Sequence, residues 1–135
     1  AMGISSEGYI AELLADVGLP AADKKRVKYF SVGMKQRLGI ALALVGNPEL
    51  VLLDEPINGL DPQGIAEIRE MIIKLNKEKG ITFIISSHIL GELSKIATSF
   101  GIIDKGELKK QILKTALTED LEEYYLSLTG GISND

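Results

Sequence analysis

Apolar positions alternate between two kinds of pattern along this chain. Ile10, Leu13, Leu14 and Val17 fall three or four apart and predict one face of a helix over Ser5–Val17, ended by Gly18 and Pro20. Leu38, Ala41, Leu42 and Val45 repeat that spacing, with Ser31 placed as the N-cap and Gly46-Asn47-Pro48 as the stop. Val51-Leu52-Leu53 is an unbroken apolar run that ends in Asp54-Glu55-Pro56. A short run of this kind predicts a strand, from Glu49 to Asp54, buried on both faces. Ile65, Ile68, Ile72 and Leu75 return to helical spacing from Pro62 to Lys79, with Asp61 as N-cap, proline at the first helical position and Gly80 as C-cap. Ile81 to Ser86 is rich in β-branched residues and predicts a second strand.

Beyond it, Ser87 is positioned to cap a helix with the stripe Leu90, Leu93, Ile96 and Ala97. Phe100–Ile103 predicts a third strand, Asp104-Lys105-Gly106 a turn, and Glu107–Leu113 a fourth strand or edge ribbon. A last helix runs from Thr118 to Leu128. Strand–helix–strand–helix–strand order predicts right-handed crossovers and a parallel sheet, an α/β fold. Open sheets of this class place ligands at the carboxyl ends of their strands. The first two strands end in Asp54-Glu55 and Ser86-Ser87-His88, so adjacency of the strands would bring Glu55 and His88 close.

Composition narrows the chemistry. With 135 residues, 45% of them hydrophobic, the chain has room for one core. It has no cysteine and one histidine, which excludes thiolate and histidine-cluster metal sites. The net charge of -4 leaves no general polyanion-binding footprint, so no nucleic-acid partner is expected. The basic run Lys24, Lys25, Arg26 and Lys28 reads as a solvated connector. No apolar run approaches the roughly 18–20 residues that span a bilayer.

Gly33 in the first turn of a helix costs about 1 kcal/mol of propensity relative to alanine. Such a glycine suits close approach to the amides and positive dipole end of a helix N-terminus, where phosphate binds well. Adjacent carboxylates at a strand end allow one to serve a metal and the other a water.

Four motifs then stand in order: Ser31-Val32-Gly33-Met34-Lys35-Gln36-Arg37, Leu52-Leu53-Asp54-Glu55-Pro56, Gly59-Leu60-Asp61-Pro62 and Ser87-His88. Together they resemble the nucleotide-binding subunit of an ABC transporter, in a form similar to bacterial bacitracin- and lantibiotic-type subunits. The resemblance implies ATP and Mg²⁺ as ligands. Ser31, Val32, Gly33 and Met34 would meet the γ-phosphate of ATP held by a second, head-to-tail subunit. Asp54 would hold Mg²⁺, Glu55 would act as general base, His88 would contact the γ-phosphate, and Asp61 would lie in the loop crossing the dimer interface. The family usually has glycine at position 32 and glutamine at position 34, so valine and methionine there leave backbone contacts possible and alter the side-chain contact at 34. The resemblance also implies a membrane-spanning permease partner and a peripheral place on the cytoplasmic face of the membrane.

No Gly-x-x-x-x-Gly-Lys-Ser/Thr phosphate cradle occurs in the chain. The expectation is therefore a C-terminal portion of a P-loop NTPase of the ABC ATPase type. Residues 1–47 would form part of the helical signature subdomain, 48–115 the second half of the ATPase core, and 116–135 a C-terminal helix and tail. In the family's strand order the cradle strand lies between the strands ending at Ser86 and near Ile103. Its absence predicts an open slot, self-association, and little activity of the isolated chain. Two other readings remain open at this level: a non-hydrolytic ABC-like module that binds a partner, and a soluble ABC ATPase.

Overall fold

In the computed structural model the described residues are 6–19 and 27–131. The basic connector residues Lys24, Lys25 and Arg26 lie outside them. Two compact units divide at Ser87/His88.

The first unit contains α1 (Ser6–Asp16), α2 (Val32–Ala43), β1 (Leu50–Asp54), α3 (Pro62–Lys79) and β2 (Thr82–Ser86). β1 and β2 pair in parallel from Leu50↔Thr82 to Asp54↔Ser86. The α3 crossover makes this pairing possible, since parallel neighbours need a long connection. Its boundaries follow from local chemistry. The Asp61 carboxylate accepts from the Gly64 amide at 2.8 Å, Pro62 occupies the first turn, and Gly80 closes the helix at φ +66. The core of the unit gathers Val17, Ile40, Ala41, Leu44, Val51, Ile57, Ile68, Met71, Ile72 and Leu75.

Three expectations are corrected here. The β1–β2 sheet is covered on one face only. Val51 is buried, but Leu52 is 68% exposed and its neighbour Ile84 57% exposed, with Leu50 exposed beside them. An all-apolar run satisfies either arrangement, so the run alone does not decide how many layers cover it. The buried stripe of α2 is Ile40, Ala41 and Leu44, while Leu42 and Val45 face outward. This helix is apolar on several sides, which leaves its orientation to packing rather than to periodicity. On the stripe of α1, Leu13 and, just past the helix end, Val17 are buried but Ile10 is exposed.

In the second unit, α4 (Leu90–Ile96) precedes β3 (Ser99–Asp104), β4 (Glu107–Leu113) and α5 (Leu121–Thr129). The expected third parallel strand, β3, instead pairs antiparallel with β4. Lys105 and Gly106 both adopt positive φ, +50 and +77, which is the backbone a two-residue hairpin turn requires. Phe100 and Ile102 point to the buried face of this ribbon. The cap of α4 also differs: it is Ile89, with no side-chain hydrogen bond, rather than Ser87. Asp120 caps α5 through the amides of Glu122 and Glu123.

Candidate functional site

Residues singled out in the sequence fall into two clusters in the first unit and one position in the second. At the carboxyl end of the parallel pair, register places Asp54 opposite Ser86. The Ser86 hydroxyl donates to Asp54 Oδ1. The next amide, of Glu55, donates to the Ser86 carbonyl at 3.0 Å and also reaches the Ser86 hydroxyl at 3.2 Å. Glu55 itself has φ +51, a left-handed conformation that a residue with a side chain seldom adopts. That turn redirects the chain out of the strand, with Pro56 and Ile57 buried behind it. The Asp54 carboxylate is exposed, and the Glu55 residue is half-buried.

The side chains named at this strand end, Asp54, Glu55 and Ser86, all offer oxygen donors, which is the chemistry of a magnesium site. Mg²⁺ keeps several waters and takes one or two carboxylates together with phosphate oxygens. Asp54 fits that role. Among the described residues no group of three or more His, Asp or Glu side chains forms a cage, so this strand end would hold a metal together with a substrate rather than alone.

The second cluster surrounds a cleft of about 430 Å³ lined by Ser31, Gly33, Arg37, Gly59, Asp61 and Glu67, among others. Two helices begin on it. Ser31 caps α2, its hydroxyl accepting from the Met34 amide at 3.1 Å. Val32 and Gly33 are the first helical residues, whose amides have no acceptor within an α-helix. A Cβ built at Gly33 would meet only Leu60 Cδ2, at 3.6 Å, and Ser31 Oγ, at 3.9 Å. Both are ordinary contacts, so the chain's own packing does not demand glycine there. What the glycine leaves open is backbone facing the cleft. Gly64 differs, because a Cβ there would lie 2.9 Å from Asp61 Oδ1 and collide with the α3 cap.

Val32, Met34 and Asp61 line the same cleft, so the structure brings the signature-like helix start and the Asp61 loop together. Asp54 and Glu55 share the separate strand end. His88 is exposed and opens the second unit, two residues after β2 in the chain. Sequence reasoning passed over Ser86, Arg37 and Glu67 as functional groups. Ser86 was detectable in principle, since equal-length parallel strands place it opposite Asp54. Glu67 carries no sequence signal, because its partner lies 30 residues away.

Several known proteins are similar to this chain. The ABC transporter family model matches residues 5–58. The bacitracin transport ATP-binding protein BcrA of Bacillus licheniformis is 53% identical over 111 residues, covering 82% of this chain and 36% of that protein. The lantibiotic transport ATP-binding protein SrtF of Streptococcus pyogenes is 51% identical over 122 residues, covering 89% of this chain and 52% of that protein. The chain thus spans between about a third and about half of the length of these relatives. Among solved structures, cbiO1 of Clostridium perfringens, part of the ABC transporter complex cbiONQ, superposes with a TM-score of 0.71 at 31% identity, over 79% of this chain and 43% of that one. MJ1267, an ATP-binding cassette of an ABC transporter, superposes with a TM-score of 0.80 at 22% identity, over 95% and 51%, and supports the fold alone. By its motifs, its fold and these relatives, the chain belongs to the ABC transporter ATP-binding family.

Proposed function

We infer that the chain supplies the signature, metal, base and switch residues of an ABC transporter subunit that hydrolyses ATP to drive transport. The observation that carries this reading is the strand end, where Ser86 holds the Asp54 carboxylate and a left-handed turn at Glu55 redirects the adjacent carboxylate. A backbone outlier at the terminus of a parallel strand is the kind of strain that accompanies a working site.

In this reading Asp54 holds Mg²⁺, which when bound neutralises charge on the phosphates of ATP. Glu55 accepts a proton from the attacking water, a contribution of about 10²–10⁴ in rate. His88 contacts the γ-phosphate and orients that water. The amides of Val32 and Gly33, with Ser31 and Met34, bind the γ-phosphate of ATP held by a second, head-to-tail subunit. Asp61 answers across that interface. The domain roles follow: residues 1–47 belong to the helical subdomain, 48–115 to the second half of the ATPase core, and 116–135 to the C-terminal helix and tail.

A membrane-spanning permease is the partner, and export of or resistance to an antimicrobial peptide is the task, in keeping with the names of BcrA and SrtF. Among the described residues no helix is long and apolar enough to cross a membrane. That agrees with a peripheral place on the cytoplasmic face. Because the chain contains no phosphate cradle, it is nearly inactive by itself. β2, which has a single strand partner among the described residues, and the exposed Leu50, Leu52 and Ile84 favour self-association.

Calorimetric titration of Mg-ATP tests this reading. The 135-residue chain is expected to show no binding, and a subunit that contains it together with a phosphate cradle is expected to bind and turn over ATP. Tight binding to the chain alone would count against it.

A further inference from the structure

Between the two helix starts that share the cleft stands one guanidinium with two attachments. Arg37 lies one and a half turns into α2, and its side chain is 18% exposed. Nη1 donates to the Val17 carbonyl at 2.9 Å, just past the end of α1. Nη2 donates to Glu67 Oε2 at 2.6 Å, on α3. The other Glu67 oxygen accepts from Gln63 Nε2 at 3.1 Å, one turn nearer the Asp61 cap. One rigid side chain therefore ties α2 to the end of α1 and to the first turns of α3.

Its surroundings are shaped to keep it there. Val17 is fully buried, so its carbonyl is a fixed anchor. Gly18, at φ +72, passes so close that a Cβ would lie 2.5 Å from Nη1. Nearer the cleft α2 also meets the loop that leads into α3. Gln36 Nε2 donates to the Asn58 carbonyl at 3.4 Å, and a Cβ at Gly59 would meet Val32 Cγ1 at 3.5 Å.

The geometry points to Arg37 as a positioning residue that makes the phosphate-facing start of α2 and the Asp61 loop move as one body. It acts through Glu67 and the Val17 carbonyl. Arginine is required because its planar fork serves two acceptors in fixed directions, where a lysine ammonium is a point charge on a flexible stem. The assignment of a catalytic meaning to this coupling rests on the ATP-hydrolysis reading above, but the coupling itself does not.

Hydrogen exchange on the 135-residue chain, without nucleotide, tests the coupling. Arg37→Lys should raise amide exchange by about tenfold in both 32–36 and 57–64, the scale expected when a charge-assisted hydrogen bond is lost. Exchange in 50–54 and 72–79 should stay unchanged. Gly18→Ala, which keeps the arginine but displaces its guanidinium, should give the same paired pattern. Loosening of only one segment, of neither, or of the whole first unit would overturn the proposal. In subunits that hydrolyse ATP and contain these residues, Arg37→Lys should lower kcat about tenfold while KM for Mg-ATP stays within about twofold. A raised KM with unchanged kcat would contradict positioning. Failure of hydrolysis in the unaltered subunit would instead sink the functional reading and leave the exchange result standing.

Discussion

Ser86 and Asp54 face each other at the carboxyl end of the parallel pair, and the serine hydroxyl donates to the aspartate carboxylate. This bond fixes one carboxylate oxygen, and in the proposed function the other would be the one to meet Mg²⁺. Ser86→Ala should remove it, at a cost in stability of under about 1.5 kcal/mol for an exposed group. Because the carboxylate would then be free to rotate, the Mg²⁺ concentration needed for half-maximal ATP turnover, in a subunit that contains this chain and a phosphate cradle, should rise several-fold. Ser86→Thr, which keeps the hydroxyl, should restore it. Magnesium titrations of the two variants make the comparison.

The cap of α3 couples stability to the placement of Asp61. Asp61→Ala should cost about 1 kcal/mol, the usual loss for an N-cap carboxylate. Gly64→Ala is the more informative change. It gains about 1 kcal/mol of helix propensity but drives a methyl group against the Asp61 carboxylate. Denaturant unfolding should therefore show a near-neutral variant, while Asp61 is displaced from its cap. A gain of a full kcal/mol would mean that the carboxylate had never been held.

Lys79 and Asp16 join the end of α3 to the end of α1 at 2.6 Å. The hydrogen bond it donates to Asp16, ahead of an opposing desolvation, raises the lysine above its ordinary value of 10.5. A raised folded-state value means that the stabilisation is complete below the unfolded-state value, about 10.4, and fades as pH climbs through the folded one. The pair is partly exposed and is worth roughly 0.2–1 kcal/mol. Lys79→Met should lower the midpoint of urea unfolding at pH 7 by a correspondingly small amount, and the difference from wild type should shrink above about pH 10.5. An effect that grows with alkaline pH would refute the assignment.

The uncovered sheet face makes a prediction about solution state. Leu52 and Ile84 are register neighbours and both exposed, and β2 has a single strand partner among the described residues. Sedimentation velocity should show concentration-dependent association of the chain. Leu52→Lys and Ile84→Lys should shift it toward monomer without unfolding it, since neither side chain is in the core. A wild-type chain that stays monomeric at all concentrations would remove the basis for an associating face.

Much of this arrangement was legible before any coordinates. Asp61-Pro62 and Gly80 bound α3 because caps and prolines act locally, within one turn of the residue that carries them. The strand ending at Asp54 was legible for the same reason. What the residues did not disclose was the number of layers over that strand. Leu50 and Leu52 are as apolar as Val51, and their exposure depends on what packs across the sheet. The orientation of α2 escaped for a related cause, since Leu42 and Val45 offer a stripe as apolar as Ile40 and Leu44. In the site, the four motifs marked Ser31–Met34, Asp54, Glu55, Asp61 and His88 in chain order. The Arg37–Glu67 pair could not be read there, because it joins residues thirty positions apart; the serine on Asp54 follows only once the two strands are paired in register.

The central claim is that Glu55 serves as the base for ATP hydrolysis. Its most direct test compares Glu55→Gln with wild type in a subunit that contains this chain and a phosphate cradle, measuring Mg-ATP affinity and single-turnover hydrolysis together. The claim predicts affinity within about twofold and hydrolysis slowed by about 10²–10⁴, the range for a lost general base. Hydrolysis within about threefold of wild type, with binding intact, would contradict it.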